Sequence, residues 1–292
     1  ALLGFTLNTF QVGQVSLERV EELLNRMPKI KDSQKAKLLK NNILGRLEAK
    51  NLTISYPDST RKVLDDLSFV IDPGELVAVV GPIGCGKTTL ARAIGRMVEV
   101  NSGELFLDEH DVVDLRLIDL RKNVAFVPQE GYLFTNSLAE NLRYGDPKAS
   151  KERVEASALQ ARFMDDIRGF PDGFETLVGE RGITLSGGQR QRAALGRALL
   201  VRSPVIVLDD ALASVDNKTA SAILSSIREQ RDRTIVMISH QLSAAAACDR
   251  ILVLESGRLV QQGTHTALIQ KEGTYKRLWE REKAAEELGA VA

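Results

Sequence analysis

Cysteine is nearly missing from this sequence. Among 292 residues only Cys85 and Cys248 occur, too few and too far apart for a disulfide framework or a zinc ribbon, and this scarcity points to a reducing compartment. Net charge is missing altogether. Thirty-nine Lys and Arg offset 39 Asp and Glu, so there is no global field to hold a polyanion, and no nucleic-acid partner is expected. Long apolar runs are missing too: nothing approaches the roughly 20 consecutive apolar residues that a transmembrane helix requires, and no segment reads as spanning a bilayer. The first residues, Ala1-Leu2-Leu3-Gly4, show neither Met nor the basic and small-residue pattern of a signal peptide, and read as the start of a piece of something longer. What remains, 43% hydrophobic and 27% charged, is ordinary globular composition with length for one large domain or two smaller ones.

Residues 1–25 place Leu3, Leu7, Phe10, Leu17, Val20, Leu23 and Leu24 at helical spacing among Glu18, Arg19, Glu21 and Glu22, which predicts a helix with one apolar face. From Pro28 to Asn42 the chain is polar and Lys-rich (Lys29, Lys31, Lys35, Lys37, Lys40), the composition of a solvated linker. A boundary near residue 43 follows, giving segments 1–25, 26–43 and 44–292. Short alternating runs, Leu47 to Tyr56 and Val63 to Ile71, precede the turn Asp72-Pro73-Gly74 and an apolar strand, Leu76 to Val80. Further strands are expected at Val124 to Val127, Val205 to Leu208, Thr234 to Ile238 and Arg250 to Leu254, with helices after Lys87, Gly188, Asp216 and Ser243. This alternation implies an α/β fold with a mostly parallel sheet. Between about 130 and 200 the pattern is helix and turn, as for a helical subdomain inserted into the α/β core.

Gly81-Pro82-Ile83-Gly84-Cys85-Gly86-Lys87-Thr88 matches G-x-x-x-x-G-K-[ST] at every fixed position, directly after a strand and before a helix. Glycines let backbone N–H groups wrap phosphates, the helix start adds positive potential, Lys87 supplies a point charge and Thr88 offers a hydroxyl to Mg²⁺. Thr89 follows inside the same turn. The other half of such a site is an acid ending a neighbouring strand, and Val205-Ile206-Val207-Leu208-Asp209-Asp210 supplies two. Asp209 is expected on the metal side. Asp210 is placed where a base orients attacking water.

Leu185-Ser186-Gly187-Gly188-Gln189 opens a helical run and forms a second anion site from a serine hydroxyl and glycine amides, with Arg190 and Arg192 nearby. In order with the phosphate loop and the Asp209 strand, it resembles the signature of ABC ATPases, over about Leu47 to Trp279. The resemblance implies a P-loop NTPase core with an antiparallel β subdomain and an inserted helical subdomain. It implies ATP and Mg²⁺ as cofactors, and a head-to-tail pair of cassettes in which Ser186, Gly187, Gly188 and Gln189 complete the partner's site. Carried over, Tyr56 in Ile54-Ser55-Tyr56-Pro57 matches the adenine-stacking aromatic, and Gln129 in Val127-Pro128-Gln129 the glutamine that touches Mg²⁺ and senses the membrane domain. Glu180 in Val178-Gly179-Glu180-Arg181-Gly182 matches an exporter motif, Asp216 the loop crossing to the partner, and His240 the switch histidine at the γ-phosphate. His110 and His265 have no such context and read as surface residues. Tyr132, Phe134 and Ser137 to Asn141 match the region that receives the coupling helices of the membrane domain. Phe5 to Leu24 looks like the cytoplasmic end of an exporter's last transmembrane helix. A transmembrane domain in the same polypeptide, and a place at the cytoplasmic face of the cell membrane, are implied.

Three positions depart from the family pattern. Asp210 stands where most active cassettes carry Glu, Ala213 where Ser is usual, and Gln241 where many members have Arg. Asp is shorter than Glu by about 1.5 Å, and general-base assistance is worth about 10² to 10⁴ in rate, so a slow site of its own is expected. That run resembles one subunit of heterodimeric bacterial exporters, and also the first cassette of full-length multidrug-resistance-type transporters. A heterodimer is therefore expected, with a nucleotide-gated switch lacking turnover as the other reading. Cys85, beside Lys87 and a helix start, is expected to have a lowered thiol pKa.

Overall fold

A computed structural model of the chain describes residues 2–289 other than 27, 35, 40–41, 57–60, 183 and 229–232; Lys35, Lys40 and Pro57 of the sequence patterns thus lie outside the described residues. By contacts the chain divides into two units, residues 1–31 and 32–292. The first holds a single helix, α1 (Leu2–Asn25), none of whose residues is buried. Phe5, Phe10, Leu17 and Leu24 are each about two-thirds exposed or more, from 69 to 80%.

In the second unit, β1 (Leu47–Ser55) and β2 (Lys62–Ile71) pair antiparallel, and β1 also pairs with β4 (Leu105–Leu107), which joins β5 (His110–Asp111) in a four-stranded sheet ordered β2-β1-β4-β5. The larger sheet runs β10-β9-β3-β8-β7-β6, built from β3 (Leu76–Val80), β6 (Val124–Val127), β7 (Val205–Asp209), β8 (Thr234–Ile238), β9 (Arg250–Glu255) and β10 (Arg258–Gly263). All its pairings are parallel except β9 with β10. The helices are α2 (Lys87–Ile94), α3 (Leu117–Asn123), α4 (Leu138–Arg143), α5 (Lys151–Gln160), α6 (Met164–Gly169), α7 (Gly187–Leu200), α8 (Asn217–Arg228), α9 (Leu242–Ala245), α10 (His265–Ile269) and α11 (Thr274–Gly289). This is the mixed α/β architecture expected, with α4 to α7 forming the helical stretch between β6 and β7.

The period of two in the central strands explains their uninterrupted apolar sequence. Leu76, Ala78 and Val80 join one core with the helices α4 to α9, whereas Val77 and Val79 join a second core against the small sheet and α2. Ile206 and Leu208 likewise face the first core and Val205 and Val207 the second. Each such Val, Leu or Ile buried on folding contributes roughly 1.5–3 kcal/mol. Because both faces are covered, the sheet leaves only its strand ends free. β3, β7 and β8 end on one edge, at the phosphate loop, Asp209 and Ser239.

Residues 32–43, expected as solvated linker, divide differently. Leu117 N donates to Asp32 Oδ1 at 2.7 Å, Lys37 N to Asp114 O at 2.7 Å, and Leu39 and Ile43 pack on the second core. Spaced four apart and flanked by lysines, Leu39 and Ile43 carry too little periodicity to show in sequence as a packed segment. Beyond them the Asp108 carboxylate accepts hydrogen bonds from three successive amides: Leu44 N, Gly45 N (3.0 Å) and Arg46 N (2.6 Å).

Candidate functional site

The phosphate loop connects β3 to α2. A Cβ on Gly81 would lie 2.0 Å from Leu254 O, and one on Gly86, at φ 104°, would lie 2.8 Å from Val63 O. Only glycine fits at either place. Lys87 is 5% exposed, and its Nζ donates to Gly81 O (2.8 Å) and Pro82 O (3.0 Å). Those acceptors are neutral carbonyls, so an anionic phosphate oxygen in their place makes the stronger, charge-assisted bond. Ile83, at the loop's tip, is 91% exposed, while Gly84 holds a positive φ. Tyr56 follows β1 on the flank of this loop, its hydroxyl 3.2 Å from Thr89 Oγ1.

Thr88 Oγ1 donates to Asp209 Oδ1 at 3.0 Å, which joins loop and second strand at one point. Burial pushes the Asp209 carboxyl above the usual carboxylate range, against the pull of the Thr88 hydrogen bond and of Arg92. A hydroxyl and a desolvated carboxylate form a hard-oxygen pair that suits Mg²⁺, which takes one or two protein ligands beside phosphate and water. Among the described residues no group of three or more His, Cys, Asp and Glu could hold a metal by itself. Thr88 and Asp209 could hold Mg²⁺ together with phosphate and water, and the ion when bound would neutralise phosphate charge.

Asp210, 7% exposed, sits at φ 51°, a left-handed conformation that Asp tolerates better than most residues. Its amide donates to Ile238 O (3.0 Å), which turns the carboxylate toward the strand ends. There Gln129 Nε2 donates to Asp210 Oδ2 and His240 N to Asp210 Oδ1, both at 3.4 Å. The His240 side chain is exposed. The structure therefore brings Gln129, Asp209, Asp210, His240, Lys87 and Thr88 to one edge of the large sheet.

Ser186, Gly187, Gly188 and Gln189 form the start of α7. Ser186 Oγ accepts from Gln189 N (3.3 Å) and Gln189 Oε1 accepts from Ser186 N (2.9 Å), a reciprocal cap. Two residues not singled out in the sequence reinforce it. Asp166 on α6 accepts from Gln189 Nε2 (3.2 Å) and pairs with Arg192 (2.8 Å). Gln191, 5% exposed, donates to Gln129 O (3.2 Å) and accepts from Ser214 N (2.8 Å), tying the Gln129 segment to the segment before Asp216. Gln191 stands two positions beyond Gln189, a spacing that could have drawn notice; Asp166 gives no such signal.

The sequence pattern of the family described as "ABC transporter" matches residues 64–213, a little over half of the chain. The chain belongs to the ABC transporter family. It is 40% identical over 273 residues to an ATP-dependent lipid A-core flippase of Pseudomonas fluorescens, covering 93% of this chain and 45% of that protein. To ATP-binding cassette sub-family B member 6 of Mesocricetus auratus it is 37% identical over 278 residues, 95% of this chain and 33% of that protein. Among solved structures, a bacterial Atm1-family ABC exporter with ATP bound superposes with a TM-score of 0.88 at 35% identity, over 97% of this chain and 50% of that one. The chain spans about half the length or less of the curated relatives it matches. It is an ABC nucleotide-binding domain of exporter type, in a family of ATP-hydrolysing transport proteins.

Two expectations for this ABC domain need correcting. The Cys85 thiol is pushed up, not down: it is 4% exposed, and burial outweighs the Lys87 ammonium 3.8 Å away. His265 is half-buried rather than a surface residue, its Nδ1 2.7 Å from the fully buried Tyr275 hydroxyl and its ring 4.5 Å from that of Trp279. The Asp216 carboxylate is hydrogen-bonded by the Thr219 side chain and by Thr219 N (2.9 Å), a helix-capping pair of bonds that holds its pKa below the usual range. Glu180 is exposed in a short 3₁₀ turn, and His110 is exposed as expected.

Proposed function

We propose that the chain is the ATP-binding cassette of an exporter half-transporter whose own site binds Mg-ATP and hydrolyses it slowly. Lys87, Thr88 and the amides of Gly81 to Gly86 hold the phosphates, Tyr56 and Thr89 line the nucleoside side, and Thr88, Gln129 and Asp209 hold Mg²⁺. His240 meets the γ-phosphate. Ser186 to Gln189 complete the site of a partner cassette, most simply a second half-transporter in a head-to-tail heterodimer. The transmembrane domain belongs to the same polypeptide, and the cassette works at the cytoplasmic face of the membrane. Its contact surface is a groove of about 310 Å³ whose lining includes Phe126, Pro128, Tyr132, Ala194 and Arg197. Exposed Phe134 makes an edge contact with the lining Tyr132, ring centroids 5.3 Å apart. The apolar face of α1 supports the same reading, since it needs a cover.

The observation that carries the slow site is Asp210. Its carboxylate is held back among Gln129 and His240 N at 3.4 Å, and a side chain shorter than Glu by about 1.5 Å reaches less far toward an attacking water. Asp210→Glu should raise steady-state ATP turnover at this site by about 10²- to 10⁴-fold, with Mg-ATP affinity little changed. Turnover by the unsubstituted protein at ordinary exporter rates, unaltered by Asp210→Glu, would sink the slow-site reading. The same observation supports a second reading, a cassette that binds ATP to clamp a dimer without turning it over. Turnover measured with and without a partner carrying Glu at that position separates the two.

A further inference from the structure

The turn that carries His240 is gripped from three directions. Ser239 N donates to Val79 O (3.2 Å) at the end of β3, and His240 N faces Asp210 Oδ1 (3.4 Å) at the end of β7. Within the turn, Ser239 Oγ bonds both Gln241 N (3.0 Å) and Gln241 O (3.1 Å). The third grip comes from α11, forty residues on in sequence. There the Glu282 carboxylate accepts from Leu242 N at both oxygens (3.0 and 2.9 Å) and from Ser243 N (3.2 Å). Gln241, the residue before α9, offers no side-chain cap among the described residues, so Glu282 supplies it.

α11 is in turn fixed elsewhere. Thr274 Oγ1 donates to Glu255 at the end of β9 (2.7 Å), Tyr275 N donates to Gln261 Oε1 on β10 (3.0 Å), and the Tyr275 ring is fully buried with its hydroxyl on His265. The edge of the large sheet thus sets the position of α11. Between α11, the His240 turn and the phosphate loop lies a cavity of about 490 Å³, lined in part by Gly81, Pro82, Ser239, His240, Arg281 and Glu282. Glu282 and His240 thus line the same cavity as the start of the phosphate loop.

We propose that Glu282 is a positioning residue that sets the reach of His240 toward the terminal phosphate of a nucleotide in the phosphate loop. This rests on the reading of that loop as an ATP site faced by His240. A carboxylate holding amides two and three residues beyond the histidine fixes the backbone from which its side chain projects, while touching no nucleotide itself. Its loss should cost what His240 contributes and nothing more.

The test uses the intact protein carrying Glu282→Ala, His240→Ala or both, with MgATP and MgADP affinities measured by titration calorimetry. Glu282→Ala is expected to weaken MgATP about 10- to 150-fold, the worth of one charge-assisted hydrogen bond, and to leave MgADP unchanged. His240→Ala should do the same, and the double variant should bind no more weakly than His240→Ala. Glu282→Gln, which keeps one carbonyl acceptor, should recover most of the affinity and also serves should the alanine variant not fold. Equal losses for both nucleotides, or a further loss on the His240→Ala background, would reduce Glu282 to a structural contact and overturn the proposal. So would a silent His240→Ala. Amide hydrogen exchange on the nucleotide-free protein distinguishes the two levels: Leu242 and Ser243 should exchange faster without Glu282, and unchanged exchange removes the tie itself. An unsubstituted protein that binds neither nucleotide instead fails the ATP-site reading.

Discussion

Cys85 lies inside the phosphate loop, where two effects on its thiol compete. Proximity to Lys87 lowers a thiol pKa, desolvation raises it, and at 4% exposure desolvation wins. Maleimide should therefore modify Cys85 at least about tenfold more slowly than a free thiol at pH 7.5, faster as pH rises, and more slowly still with MgATP present. Once modified, the loop should lose nucleotide affinity because the adduct fills the cradle. Rapid alkylation that spares nucleotide binding would place Cys85 outside it. Asp210 makes the complementary point. Its identity was legible in sequence, but its left-handed backbone and its contacts with Gln129 and His240 depend on β6, β7 and β8 ending side by side.

Elements were legible in proportion to how completely they are buried. β3 is apolar throughout, and β7 and β8 are apolar apart from Asp209 and Thr234 at their ends, because each faces a core on both sides, so their runs stand out. β4 and β5, at three and two residues, are too short for any period, and β10 alternates exposed and half-buried positions with little apolar contrast. Helix α7 announced itself through the helical run after Gly187-Gly188, and the structure adds a Ser186–Gln189 capping pair. The entry to the second unit did not. It depends on Asp108, a turn residue at φ 45°, whose carboxylate gathers the amides of Leu44, Gly45 and Arg46. Asp108→Ala should lower unfolding free energy by about 1–3 kcal/mol, read from denaturant titration. An unchanged midpoint would show that water replaces the carboxylate at no cost.

For the whole molecule, the titrating groups set opposite limits. Asp65, Asp119, Asp146 and Asp216, with Glu48, have folded pKa values held down by hydrogen bonds from Lys, Arg and Thr partners. Their stabilisation is present above the unfolded carboxylate pKa of about 4 and fades as pH falls through the lower folded values. Half-buried or exposed and still reached by water, each contributes little. At the other limit, burial pushes the Cys248 thiol up to about 12. Tyr275 and Cys85 shift the same way. Neutral in the fold, these groups ionise more easily when unfolded, so stability falls as pH rises above roughly 9. The melting temperature should be level between about pH 6 and 8, dropping below about 4 and above about 9. A melting temperature still constant at pH 10 would contradict the burial of Cys248 and Tyr275.

The near-absence of cysteine, the zero net charge and the lack of long apolar runs excluded a disulfide scaffold, a bulk polyanion field and a spanning helix in this stretch. Glycines at 81, 84 and 86, the Lys87-Thr88 pair, the Asp209 strand and the Ser186-Gly187-Gly188 helix start were legible in sequence, because each is a local requirement of backbone geometry or charge. Tertiary structure decided which distant residues support them. Asp166, Gln191 and Glu282 act from α6, from within α7 and from α11 on segments 23 to 62 residues away. No local pattern encodes such ties, since a hydrogen bond between remote segments exists only once sheet and helices have packed.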